Sequence, residues 1–287
     1  MNAYAAYRAL TAEQKQLLRT KQVEGAHTPA EWLALLTPLG DYDQSADKLR
    51  KAGCTAGIIS GVVLFASLFL LGIFAPLAVL LIVGALTVLV VAIIVYQITS
   101  KLDLATDLHK FVLPLLAVLR EDAAPGQPVR LALDMRGSTV DAKQVRQTQP
   151  YAAGAYHKVV ATFYEDPWLR GEAPLADGSR LSWRLVDRVR KLEKTKRNPR
   201  GKTKTKTRHK QKTHMVVQLA LRGDRYAVAD AGTAASADRL EVTPGEKRHT
   251  VKLHRVVQTD ALATPEPQQL LELIGAAFSR ATPVKKQ

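Results

Sequence analysis

The longest stretch of this chain without a charged residue, at positions 52–100, reads AGCTAGIISGVVLFASLFLLGIFAPLAVLLIVGALTVLVVAIIVYQITS. It contains no Asp, Glu, Lys, Arg or His. A helix that crosses the hydrocarbon core of a bilayer needs about 20 apolar residues, so the stretch is long enough for two. Gly72–Pro76 interrupts it, because Gly and Pro punctuate helices. The sequence therefore predicts a transmembrane helical hairpin with spans at about 54–74 and 77–98.

The charges that flank this hairpin predict its orientation. The nearby cations are Lys48, Arg50, Lys51, Lys101 and Lys110, whereas the turn between the spans carries no charge. Positive residues favour the cytoplasmic side of a membrane. We therefore expect an integral membrane protein with both termini in the cytoplasm. The Ala-, Leu- and Arg-rich composition favours a bacterial source, for which the membrane would be the inner one.

Three glycines repeat every four residues in the first span, at Gly53, Gly57 and Gly61. Small residues at this spacing let a second helix approach closely in lipid. The ridge is predicted to be a helix-packing surface. Its partner is either the second span of the same chain, which we favour, or another copy in a homo-oligomer.

Composition excludes several classes of protein. With 47% hydrophobic and 23% charged residues the chain is not intrinsically disordered. Its single cysteine, Cys54, excludes an intrachain disulfide. The sequence has no Gly-rich phosphate loop, no nucleophile elbow and no His or Cys pattern of a metal site. It therefore predicts no catalytic residue, metal or cofactor.

Hydrophobic periodicity divides the rest of the chain into four segments. Residues 1–51 are expected to be helical, and residues 101–123 to form a linker helix. Residues 124–262 alternate apolar and polar positions, as half-buried strands do, and residues 263–287 carry a C-terminal helix and tail. The predicted fold is an α+β membrane protein: a two-helix hairpin plus a cytoplasmic antiparallel β-sandwich-like domain.

Most of the formal net charge of +15 lies in one predicted β-hairpin at 180–222. Six consecutive even positions, from Lys202 to Lys212, are Lys or Arg, and the odd positions between them are mostly Thr. The odd positions then become apolar from Met215 onward. In a strand, this alternation places the cations on one face. The predicted anion- or partner-binding residues are Arg184, Arg188, Arg190, Lys202, Lys204, Lys206, Arg208, Lys210 and Lys212. A solvated basic loop is the alternative interpretation.

Such a face could bind anionic lipid, an acidic protein or nucleic acid. Nucleic-acid stacking is poorly supported, because no aromatic residue lies between Arg184 and Lys212. Two acidic features are also notable. The segment Glu165–Trp168 is interpreted as a structural turn, with binding of a cation or of the basic hairpin as the alternative. Asp134 and Asp141 would form a pair of carboxylates only if the fold joined them.

These patterns predict a non-enzymatic integral membrane protein. Its cytoplasmic β-rich domain would bind an anionic surface or acidic partner through the basic hairpin, in a membrane assembly. The architecture is similar in outline to bacterial membrane effectors that join two transmembrane helices to a β-rich sensing domain. That similarity rests on no shared motif, and it supports the alternative of an effector or pore-type protein. A membrane-tethered enzyme is the second alternative.

Overall fold

The computed structural model of the protein describes residues 3–72, 74–105, 108–197, 200–228 and 237–284. It divides into two compact units, which are described separately. The helical unit comprises residues 1–20 and 36–104, and the sheet unit comprises residues 21–35 and 105–287.

Four helices occupy the first third of the chain: α1 (Ala3–Ala9), α2 (Ala12–Thr20), α3 (Pro29–Leu70) and α4 (Ala75–Lys101). Reciprocal capping contacts begin α2, since Gln14 N–H donates to Thr11 Oγ1 at 3.2 Å and Thr11 N–H donates to Gln14 Oε1 at 3.0 Å. Thr28 and Glu31 form the same arrangement before α3. Each pair satisfies two backbone N–H groups that a helix start leaves free.

Helices α3 and α4 are both long and apolar enough to cross a membrane. They are separated where Gly and Pro predicted a break, which confirms two long apolar helices. Their large apolar side chains remain uncovered; Ile58, Phe69 and Leu80 are each exposed by more than two thirds, at 70%, 68% and 69%. The core helix of a soluble protein would bury such residues.

The glycine ridge of α3 faces α4 over part of its length. A Cβ built on Gly57 would lie 3.9 Å from Leu89 Cδ1 and 4.0 Å from the Cβ of Ala92, and one on Gly53 would lie 3.9 Å from the Ala92 carbonyl oxygen. A Cβ on Gly61 would meet nothing within 4 Å. The first two glycines therefore pack against the second helix of the same chain.

Two long helical stretches expected from the sequence differ in the structure. Helix α3 is 42 residues long and joins the predicted first span to the second half of the helical segment that was expected at residues 1–51. The helix expected over 101–123 is instead divided into a π-helical turn at Leu108–Val112 and α5 (Leu113–Asp122). Pro114 lies in the first turn of α5, and because it lacks an N–H it cannot continue the preceding α-helical hydrogen bonds.

Nine antiparallel strands of the sheet unit form one sheet. They are β1 (Gln22–His27), β2 (Val129–Asp134), β3 (Gln144–Gln147), β4 (Tyr151–Ala153), β5 (Tyr156–Pro174), β6 (Arg180–Arg197), β7 (Thr203–Arg222), β9 (Arg239–Thr243) and β10 (Arg248–Thr259), with β8 (Tyr226–Val228) outside it. The order is β1-β2-β5-β6-β7-β10-β9, and β3 and β4 pair with β5. The remaining elements are α6 (Pro267–Phe278) and β11 (Ala281–Pro283), which pairs with β8.

The sandwich-like arrangement is not confirmed, because these nine strands lie in a single sheet whose apolar face is covered by helices. Odd-numbered residues of β7 are buried from Gln211 to Leu221, and α6 contacts both β7 and β10. Leu270, Leu273 and Ala277 of α6 are fully buried. Burying one helix stripe against one sheet face is a standard two-layer solution.

Strand β1 was not predicted, since residues 1–51 were expected to be helical throughout. Its sequence, QVEGAH, has little apolar alternation and a low intrinsic strand tendency. The strand forms through pairing with β2, from Gln22 opposite Asp134 to His27 opposite Val129. The buried Trp32 fixes this edge by donating its Nε1–H to the Val129 carbonyl at 2.9 Å.

Candidate anion-binding face

The basic segment is a regular pair of antiparallel strands, as the alternation predicted. Strands β6 and β7 pair continuously from Arg180 opposite Ala220 to Arg197 opposite Thr203. In this register each even residue of β6 lies opposite an even residue of β7. Directly opposed residues share a face of the sheet, so all even positions of both strands lie on the same side.

We call this surface the basic face and define it by the cations at even positions between residues 184 and 212, five from each strand. They are Arg184, Arg188, Arg190, Lys194 and Lys196 of β6 and Lys204, Lys206, Arg208, Lys210 and Lys212 of β7. Eight of the nine residues named from the sequence belong to it; Lys202 lies in the turn before β7 begins. Lys194 and Lys196 were missed, although they share the parity of Arg190. The expected turn residues Asn198 and Pro199 lie outside the described residues.

The cations face one another across the strand pair. Arg188 lies opposite Lys212, Arg190 opposite Lys210 and Lys194 opposite Lys206. Like charges directly opposite each other are destabilising in a sheet. An anion that binds between the rows would relieve this repulsion.

The opposite side of β7 leads into the core. Thr203, Thr205 and Thr207 are exposed, whereas Gln211 and Thr213 are only 2% and 3% exposed and are followed by buried apolar residues. The change occurs where β10 begins to pair with β7, at Gln211 opposite Thr259. The basic face is therefore held in orientation by the burial of alternate residues farther along the same strand.

The hairpin does not stand alone, since β5 pairs with β6 as far as Lys158 opposite Thr195. On the other side, none of the described strands pairs with β7 over residues 203–210. This segment is a sheet edge, where Lys residues discourage pairing with another chain. Edge protection is thus a structural role that some of the lysines could have without any ligand.

Although the basic segment itself contains no aromatic residue, strand β5 contributes one to the basic face. Phe163 is opposite both Arg190 of β6 and Arg146 of β3, and the Arg146 guanidinium carbon is 4.7 Å from the centre of its ring. An open groove of about 410 Å³ runs beside it, lined by Val145, Phe163 and the basic residues of β6 and β7. Phe163 was not predicted to lie here, because it is distant in sequence from the basic segment at residues 184–212.

Few acidic groups of the described residues lie among these cations. Glu165 is 3.3 Å from Arg188, and Asp260 is 3.6 Å from Lys210. Exposed ion pairs of this kind contribute about 0–1 kcal/mol each and exchange readily for another anion. The basic face therefore keeps its net positive charge.

The two acidic features singled out in the sequence lie elsewhere in the sheet. Glu165–Trp168 is not a turn but part of β5, at a register shift against β6 between Asp166 and Leu169. Asp134 accepts hydrogen bonds from Arg136 and lies 3.3 Å from the Lys143 ammonium, so it is bound to cations rather than to Asp141.

Two histidines extend the same side of the sheet toward β10. His214 Nδ1 and His254 Nε2 are 3.1 Å apart, with ring planes only 12° from parallel. Burial, and then the charge of Arg188, lowers the pKa of His214. At neutral pH this ring adds a hydrogen-bonding group rather than another charge.

Comparisons of the chain with protein-family models, curated proteins and solved structures found no match. Its function is therefore inferred from the geometry of the sheet and the helices.

Proposed function

We propose that this chain is a non-enzymatic integral membrane protein whose basic face binds an anionic partner in the cytoplasm, with an anionic lipid surface as the favoured one. The observation that carries the proposal is the alignment of ten Lys and Arg residues on one side of β6 and β7. A partner with many negative charges, rather than one small anion, fits a face that extends over nine residues of β7, about 30 Å.

Membrane insertion rests on the two apolar helices. Their exposed side chains form a long apolar surface, and exposing such a surface to water is unfavourable. Lys51 precedes the apolar part of α3 and Lys101 ends α4, so the positive-inside rule favours cytoplasmic termini. Arg50 contributes less, since it is paired with Asp47 and Asp103.

Orientation can be tested by labelling single cysteines in intact cells, after replacement of Cys54 by Ser. A cysteine at position 20 or 260 should react with an impermeant maleimide only after lysis, and one at position 74 should react before it. Labelling of position 260 in unbroken cells would reject cytoplasmic termini.

The favoured partner follows from the chemistry of the face. A Lys or Arg near an anionic membrane contributes about 1 kcal/mol, with an effect that falls off within a Debye length. Nucleic acid would use the same charges through counterion release. The Phe163 ring on this face is already covered by Arg146, and the centre of the Tyr156 ring lies 5.5 Å from the Lys194 ammonium; rings already in contact with cations favour a lipid surface over base stacking.

The test separates the arrangement of charge from its amount. Exchanging neighbours within residues 203–208, from TKTKTR to KTKTRT, keeps composition and net charge but moves three cations to the opposite side. Both sides of β7 are exposed over these positions, so the sheet unit should fold as before. Positions 211 and 213 stay unchanged because they are buried.

Binding would be measured with the full chain in neutral-lipid nanodiscs, against vesicles that contain phosphatidylserine. Loss of three cations at about 1 kcal/mol each predicts roughly 100-fold weaker binding. A matched control exchanges Thr203, Thr205 and Thr207 for Ser and should bind as the original does. If the exchanged variant is folded and binds equally well, the segment acts as a basic tether and the single-face proposal is wrong. Preferred binding of a single-stranded oligonucleotide would instead reject lipid as the partner.

A further inference from the structure

A small cavity lies on the other side of the sheet, at the margin of the core. Its volume is about 190 Å³, and its charged and polar lining includes Asp166 and Trp168 of β5, Asp187 of β6, Gln211 of β7 and Arg136, whose guanidinium is paired with Asp134. Asp166 and Asp187 are direct cross-strand partners and are only 2% and 7% exposed. Two carboxylates are thus held side by side in a nearly buried place.

The carboxylates differ in their partners. The Lys143 ammonium lies 2.7 Å from Asp166 and 3.3 Å from Asp134, and Arg136 lies 2.7 Å from Asp134. Asp187 accepts a hydrogen bond from the Thr213 hydroxyl at 2.6 Å, but it forms no ion pair with any cation that the structure describes. Two cations, Arg136 and Lys143, thus face three carboxylates. Asp134 and Asp166 are paired with these cations, and the carboxylate without a counter-ion is that of Asp187.

Ionisation of Asp187 is less favourable in this buried position than it is in water. Burial, and more weakly the charge of Asp166, raises the pKa of Asp187 to about 6, although the Thr213 hydroxyl and, to a smaller extent, the Gln211 and Trp168 side chains partly offset this effect. At neutral pH the group is still mostly an anion. A buried carboxylate lacking a cation is costly to retain, and such groups cluster where proteins bind or transform ligands.

A hydrogen-bond donor accompanies this charge. The indole N–H of Trp168 lies near the Asp187 carboxylate and helps to lower its pKa, but it forms no hydrogen bond of good geometry with any of the described residues, and the side chain is 3% exposed. The indole ring is fixed by an edge contact with Phe111 at 5.2 Å between centres. Buried donors of this kind normally have a partner.

The remaining wall of the cavity is closed by the chain after β10. The Gln211 side chain donates its Nε2–H to the Ala263 carbonyl at 2.8 Å and accepts the Ala263 N–H at 3.2 Å. The same Nε2 also donates to the Thr213 hydroxyl at 3.1 Å, so both amide hydrogens of Gln211 have acceptors. That leaves the Asp187 carboxylate and the Trp168 N–H for an occupant.

We propose that this cavity binds the cationic amino group of a small molecule, with Asp187 as its counter-ion and Trp168 donating to a neighbouring oxygen of the same ligand. A primary ammonium group supplies the missing positive charge and donates hydrogen bonds to both carboxylates. An adjacent hydroxyl or carbonyl oxygen accepts the indole N–H. A metal ion is a poorer match, because among the described residues no three His, Cys, Asp or Glu side chains are grouped to hold one.

The assay uses the full chain in detergent micelles and follows thermal unfolding by tryptophan emission. All three tryptophans, Trp32, Trp168 and Trp183, belong to the sheet unit, so the signal reports that unit. The probes are ethanolamine, the neutral ethylene glycol of similar size, and calcium chloride. Ethanolamine should raise the unfolding midpoint in a saturable manner, and ethylene glycol should not.

Two variants locate the effect. Asp187→Asn keeps the shape of the side chain but removes its charge, and we expect at least a tenfold higher ethanolamine concentration for half-saturation. Trp168→Phe removes the indole N–H while keeping an aromatic ring, and should weaken binding by a smaller factor. Each variant is compared with its own unliganded midpoint, so a change in intrinsic stability does not obscure the result.

The proposal is wrong if ethanolamine gives no saturable shift, if ethylene glycol acts equally, or if Asp187→Asn responds as the original chain does. A saturable shift with calcium alone would identify a metal site instead. None of these outcomes depends on the basic face, which lies on the opposite side of β6 and β7.

Discussion

Replacement of Asp187 by Asn should make the sheet unit more stable at neutral pH, and the gain should disappear in acid. Asp187 is 7% exposed and has a hydroxyl partner but no cationic one among the described residues. Asn has nearly the same shape, and its oxygen can accept the same hydrogen bond from Thr213. The substitution therefore changes mainly the ability of the buried group to ionise.

The magnitude follows from the difference between the folded and unfolded pKa values of Asp187. The pKa is raised from 3.8 to about 6, and one unit corresponds to about 1.4 kcal/mol. Ionisation of the Asp187 carboxyl is thus about 3 kcal/mol less favourable in the folded protein than in the unfolded chain. Because the folded-state pKa is the higher one, this cost is absent below about pH 4, grows between pH 4 and 6, and is complete above pH 6.

The free energy of unfolding would be measured by urea denaturation in a nonionic detergent, with tryptophan emission as the signal, from pH 4 to pH 8. The difference between Asp187→Asn and the original chain should increase by up to about 3 kcal/mol across this range. Thr213→Val provides a matched variant. It removes the hydroxyl that favours the charged carboxylate, so its pH-dependent loss of stability should extend to higher pH.

A constant difference between Asp187→Asn and the original chain from pH 4 to pH 8 would refute this reasoning. That result would mean that the Asp187 carboxylate is compensated in the folded protein by the Arg136 guanidinium of the cavity lining or by water in the cavity.

Two further substitutions, one in each unit, test the packing of side chains. Gly171→Ala should destabilise the sheet unit by about 3 kcal/mol, because the added Cβ would overlap the ring of Trp183 on the adjacent strand. Urea denaturation followed by tryptophan emission measures this loss. A denaturation midpoint equal to that of the original chain would contradict the prediction. Gly57→Leu should lower the temperature at which helical circular dichroism is lost, since a Cβ at this position would already be in contact with Leu89 and Ala92 and the rest of the leucine side chain would push the helices apart. Gly61→Leu is the control, with open space around its Cβ, and loss of crosslinked oligomers in this variant alone would assign Gly61 to self-association.

Local sequence patterns predicted several elements correctly because they depend on neighbouring residues. An uncharged run with one Gly- and Pro-containing break was sufficient to predict two long apolar helices. Alternation from Lys204 to Leu221 was sufficient to predict β7 and to assign its cations to one face, because side chains of a strand alternate strictly. The caps that begin α2 and α3 likewise depend on contacts between residues only three apart.

The candidate sites outside β7 required the pairing of distant strands. Phe163 joined the basic face only because β5 pairs with β6, and its sequence position gives no sign of this. Lys194 and Lys196 could have been found by applying the same parity rule to the first arm of the hairpin. The sandwich prediction failed to distinguish two facing sheets from one sheet covered by helices, since both bury alternate residues in the same pattern.

The sequence by itself determined which segments are apolar helices, which strand carries the charges, and which side of that strand faces the core. It did so because hydrophobic periodicity and charge act over a few residues. Only the tertiary structure decided that QVEGAH forms an edge strand, that Asp166 lies opposite Asp187, and that Lys143 neutralises one of these carboxylates and leaves the other. Those outcomes depend on strand register between segments up to about a hundred residues apart, and register is set by the summed burial of the whole sheet.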